Sequence, residues 1–174
     1  MDITTNEQAK QAINNWLTEN HHDVKEITDD AASFHLEVDY PVGSLKRQRV
    51  LQPKDFPGLI VLLNGVSIAN EHVEKMKKIT QREREKFYAD IRKDLIFLKN
   101  SYDFNLDEEG IVKQVQFSYE FYFDSLTKTR IFEGLLLNHR TLLYIVTRFN
   151  EKFGVPVLAA APPSSPEEEF AGNA

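Results

Sequence analysis

One stretch, Ile111 to Phe153, constrains the fold more than any other. Val115, Phe117, Tyr119, Phe121 and Phe123 put a large apolar side chain at every second position, and Gln114, Gln116, Ser118 and Glu120 take the other parity. Successive strand side chains point to opposite faces, so the spacing predicts a strand with one apolar and one polar face. Tyr122 sets an aromatic on the polar parity. Asp124, Ser125 and Thr127 follow, each able to accept from a free N–H at a helix start. The period then changes to three- and four-residue steps. Ile131, Phe132, Leu135, Leu136, Leu142, Leu143, Val146, Phe149 and Phe153 define the expected buried stripe of one long helix. Gly154 and Pro156 end it.

Leu137 and Tyr144 fall outside that stripe, seven residues apart and therefore nearly in line. With Tyr122 they are the candidate protein-contact residues; the plainer alternative is that neighbouring loops cover them. His139 falls within the stripe. A lone histidine there reads as a core residue bonded to backbone or water, because a zinc site needs three or four converging ligands.

The remainder supplies partners for this pair. Thr5 and Gln8 have capping-box spacing ahead of Ala9, Ala12, Ile13, Trp16 and Leu17, which predicts an amphipathic helix. His21 and His22 follow in a loop; adjacent histidines face apart, which argues against chelation. Val24 to Thr28 is a short strand candidate. Phe34, Leu36, Val38 and Tyr40 alternate with Ser33, His35, Glu37 and Asp39 as a second half-wet strand. A three-residue loop at Pro41 to Gly43 would return the chain with Glu37 opposite Arg47 and His35 opposite Arg49. Leu59 to Leu63 is continuously apolar, the mark of a central or doubly covered strand. Asn70 to Lys78 predicts a short helix, and Thr80 with Glu83 opens another, running to about Lys99 with Phe87, Tyr88, Ile91, Leu95 and Leu98 buried. Tyr102, Phe104 and Leu106 alternate in a last strand, which turns at Asp107 to Gly110 into the central one.

Half-wet strands joined by short turns predict an α+β fold: an antiparallel sheet with helices packed on one face, and Glu37, Asp39, Gln116 and Glu120 on the wet face. Residues 1–154 form the single domain, and the Pro, Ala and Glu-rich residues 155–174 read as a disordered tail. Four segments, AINNWL, SFHLEVDYP, FYADIRKDL and FSYEFYFDSLTKTRIFEGL, carry a further likeness. In them the chain resembles an uncharacterised archaeal protein family with a type III secretion chaperone-like fold. The resemblance implies a small, often dimeric, non-catalytic binder of other protein segments.

The sequence offers little chemistry. Its seven glycines are scattered, with no phosphate-cradling loop, and no HExxH or GxSxG occurs. Asp103, Asp107, Glu108 and Glu109 lack calcium-loop spacing. No catalytic residue, metal or cofactor is assigned. A formal charge of −6 argues against a general nucleic-acid binder. The absence of cysteine fits a cytoplasmic location, and no run of 18 apolar residues suggests a membrane span. The leading expectation is a cytoplasmic protein-binding or chaperone-like module, a homodimer with a protein client. Two alternatives stand beside it. One is a small-ligand receptor or enzyme with a site between sheet and helices near His35 or His139. The other is an RNA-associated protein using Arg47, Arg49 and Lys78 as phosphate contacts.

Overall fold

The computed structural model describes residues 4–156. Its elements are α1 (Asn6–Glu19), β1 (Val24–Glu26), β2 (Ala32–Asp39), β3 (Arg47–Pro53), β4 (Leu59–Ser67), α2 (Asn70–Lys77), α3 (Gln81–Leu95), β5 (Ser101–Leu106), β6 (Val112–Tyr122), a 3-10 turn (Phe123–Ser125) and α4 (Lys128–Phe153). The strands make one sheet in the order β1-β2-β3-β4-β6-β5. Every neighbouring pair is antiparallel. This is the α+β architecture that the alternation predicts. The continuous apolar strand β4 lies centrally, between β3 and β6.

One face of the sheet packs against the helices. Phe34, Leu36, Val38, Val50, Ile60, Leu62, Tyr119 and Phe121 meet α1 and the first half of α4 in one core. Phe104, Val112, Val115 and Phe117 meet α2, α3 and the second half of α4 in another. Helix α4 therefore spans both cores. It begins as the cap predicts: the Thr127 side chain accepts from the N–H of Arg130. Gly134 sits where α4 comes closest to the sheet; a Cβ there would lie 2.6 Å from Tyr119 Cδ1 and 2.7 Å from Leu62 Cδ2. Both predicted capping boxes form, at Thr5 with Gln8 and at Thr80 with Glu83.

Several expectations are corrected. The loop after β2 runs over residues 40–46 instead of three residues, so the register moves by two. Glu37 faces Arg49, Asp39 faces Arg47, and His35 faces Leu51. A shift of two keeps each side chain on its expected face. Asp39 is buried, not wet. Its carboxylate accepts from the backbone N–H groups of Asp23 (2.7 Å) and Gly43 (2.6 Å), which ties the longer loop to the β1 segment. Helix α3 ends at Leu95, short of Lys99, and Leu98 is exposed. Leu136 and Leu143 are also exposed, at 36% and 50%. The sheet-facing line of α4 contains Gly134, Asn138 and Thr141 beside Ile131, Leu135, Ile145 and Phe149. Small and polar members draw the true centre of the stripe away from Leu136 and Leu143. Val155 is exposed, and the predicted tail beyond residue 156 lies outside the described residues.

Candidate protein-contact surface

The uncovered face of α4 meets the segment after α3 along one side. Three consecutive apolar residues there, Ile96, Phe97 and Leu98, are 68%, 87% and 37% exposed. Hydrophobic runs of this kind are normally buried in a soluble chain, and a contiguous exposed patch marks an interaction site more often than an accident. Phe97, Leu98, Lys99, Leu136, Leu137 and Arg140 line a groove of about 300 Å³ together with Tyr119 and Glu133. Leu143 continues the exposed apolar row one turn beyond Arg140.

The patch is held in place by polar contacts beneath it. Asn100, buried at the end of the turn, donates from Nδ2 to Thr141 Oγ1 at 2.9 Å and to Asn138 Oδ1 at 3.4 Å. Asn138, itself fully buried, donates to the Leu62 carbonyl of β4 at 2.9 Å. Thr141 donates back to the Leu137 carbonyl of its own helix. This chain of bonds links sheet, helix and turn. Buried polar atoms need partners, so the network fixes where the turn sits. Nearby, the Tyr144 hydroxyl donates to Asp94. Burial first, and the Asp94 carboxylate second, raise the Tyr144 phenol above its ordinary range.

Each candidate from the sequence now has a location. Leu137 and Tyr144 are partly buried, packed on the two cores and flanked by the 94–100 segment. Tyr122 is exposed on the opposite, helix-free face of the sheet, across from Leu59 in β4. The three are therefore not brought together. Arg47 and Arg49 share a shallow polar groove on that second face with Asn64, Gln114 and Gln116, and Lys78 is not part of its lining. Both arginines are offset by acid groups: Arg47 Nη1 lies 2.9 Å from Asp23 Oδ2, and Glu37 sits 3.8 Å from each Nε. A site so balanced has little excess charge for a phosphate. His139 is half-buried at the edge of α4's apolar stripe, its ring edge-on to Tyr40 at 6.0 Å. His35 donates from Nδ1 to Asp29 Oδ2 at 2.9 Å, on the face away from the helices.

Sequence reasoning missed a second buried pair. His22 donates from Nδ1 to the Asp39 carbonyl at 2.6 Å, with the Asp39 carboxylate 3.3 Å away, and its ring stacks on Tyr40. Burial opposes ionisation of Asp39, but the Gly43 and Asp23 N–H groups and His22 outweigh it and hold the carboxyl below the ordinary range. Asp39 on the polar parity next to a loop rich in turn residues was the available signal. Among the described residues, no three His, Asp or Glu side chains converge as metal ligands, and no helix is long and apolar enough to cross a membrane.

The pattern of a family of uncharacterized conserved proteins, DUF2299, matches residues 9–149. The chain belongs to that family. No curated protein matches the sequence. Among solved structures, an uncharacterized protein from Methanothermobacter thermautotrophicus is similar with a TM-score of 0.77 and 23% identity, over 84% of this chain and 99% of that one. At that identity the likeness establishes the fold alone. YbjN from E. coli is more distant, with a TM-score of 0.44 and 8% identity over 87% of this chain and 93% of that one.

Proposed function

We propose that this DUF2299 protein is a non-enzymatic, chaperone-like protein-binding module of the cytoplasm. Its contact surface is the outward side of α4 together with the turn at Ile96 to Leu98. The observation that carries this reading is the exposure of the Ile96 to Leu98 turn, whose Phe97 and Leu98 share a groove with the exposed Leu136 on a network-anchored scaffold. A mobile loop could hide such side chains by collapsing. This one is tethered through Asn100, so its apolar groups stay presented to an incoming partner. Leu137 supplies part of the groove floor, and Tyr144 stiffens its neighbouring wall through Asp94. The sequence resemblance to the type III secretion chaperone-like fold supports the same class of function.

The test is a photo-reactive phenylalanine analogue placed at position 97 of the full chain, expressed in its own cells. A second variant carries the analogue at Ser118 on the helix-free sheet face. Reproducible protein adducts from position 97, in excess over position 118, are expected. Equal adducts from both sites, or none from position 97, would refute the contact surface.

A further inference from the structure

Resting on the reading of this face as a protein-contact surface, we infer that its partner is a second copy of this chain. The two copies pair α4 against α4, antiparallel, about a two-fold axis between Leu136 and Leu137. The argument is one of charge and spacing. The outward line of α4 runs Glu133, Leu136, Arg140, Leu143, at three- and four-residue steps. Among the described residues neither Glu133 nor Arg140 takes part in an ion pair. They stand three residues before Leu136 and three after Leu137. In an isologous interface, residue i meets j while j meets i. An axis at Leu136 and Leu137 therefore sets Glu133 of each copy against Arg140 of the other, twice, and Leu136 against Leu137, twice.

Other centres do worse. An axis near Leu143 and Leu136's midpoint brings the two Arg140 side chains together, and like charges in contact oppose association. An axis at Asn138 sets Leu136 against Arg140. The centre at Leu136 and Leu137 matches both Glu133–Arg140 pairs and the apolar surface at the axis, and Leu143 lies outside that central contact, level with Arg130 of the other copy. Phe97 lines the same groove as Glu133, Leu136, Leu137 and Arg140, so it falls inside the contact and gives it an aromatic anchor.

Sedimentation equilibrium of the full chain tests this with four proteins: wild type, Glu133→Arg, Arg140→Glu, and the double exchange. All three changes lie at exposed positions, and circular dichroism checks that each variant folds. The wild type is expected to dimerise. Each single change converts both symmetric ion pairs to like-charge contacts and weakens the dimer by about tenfold or more. The double exchange restores the pairs with reversed sign, returning affinity to within roughly threefold of wild type. A dimer indifferent to all three variants overturns the inference, because its interface lies elsewhere. A wild-type monomer overturns it as well. If that monomer still forms adducts with other proteins from position 97, the contact-surface reading survives without self-pairing. If it forms none, both fall.

Discussion

Replacing Asn100 by alanine removes the clamp that holds the Ile96 to Leu98 turn on α4. The lost bond to Thr141 Oγ1, at 2.9 Å, contributes about 1 kcal/mol. Asn138 Oδ1 is then stranded in a fully buried site, at a cost of about another 1–2 kcal/mol. The sum is about 2–3 kcal/mol, which in a chain of this size lowers Tm by roughly 4–12 °C. Thermal unfolding by circular dichroism reads the shift, and hydrogen exchange reads the place. Amides of residues 96–99 should exchange faster in the variant while those of β4 and β6 keep most of their protection. A double-mutant cycle with Thr141→Val should return a coupling of about 0.5–3 kcal/mol. A Tm within about 1 °C of wild type, or zero coupling, would refute the network as the anchor of the patch.

Four further substitutions probe the scaffold. Leu143→Glu should change stability by less than about 0.5 kcal/mol, whereas the adjacent Leu142→Ala should cost about 2–5 kcal/mol; urea titration distinguishes them, and similar losses would mean that the helix is rotated from the orientation described. Gly134→Ala gains about 1 kcal/mol of helix propensity but forces a Cβ against Tyr119 and Leu62 at about 1–3 kcal/mol, so a net loss is expected in chemical denaturation, and a more stable variant would contradict the close approach. Asp39 is held in its ionised form by the fold, so its contribution is complete above the ordinary carboxylate range and disappears as pH falls through its depressed folded value. Asp39→Asn should cost about 1–3 kcal/mol at neutral pH and leave a shallower loss of stability on acidification; parallel stability–pH curves for the two proteins would rule this out.

Much of the fold is legible in the sequence because the strands are half-wet. Alternation at Val115 to Phe121 and at Phe34 to Val38 identifies both the strands and the face that the helices cover, and Leu59 to Leu63 marks the central strand by having no polar parity. The register of β2 with β3 was not legible. Residues 40–46 leave the loop length open, and shifts of two keep every side chain on its face, so patterning alone cannot separate them. The phase of α4 departs from the expected stripe for a different reason. Its sheet-facing line includes Gly134, Asn138 and Thr141, chosen for close approach and for bonds to Leu62 and Asn100. A stripe drawn through large apolar residues alone tilts toward Leu136 and Leu143, which face water. The contact surface is hidden for a separate reason: Leu98 has the spacing of α3's buried stripe. Only the early end of that helix at Leu95 exposes the three apolar residues in a row.

Hydroxyl-radical footprinting of Phe97, Leu136 and Leu143 tests the central claim most directly. The full chain is compared in dilute purified form and in extract of its own cells, with Tyr122 and the helix-free sheet face read in the same experiment. All three residues should react readily in the dilute sample and be protected in the extract, whichever protein covers them. Unchanged reactivity at these positions, or protection confined to the sheet face, would contradict the account.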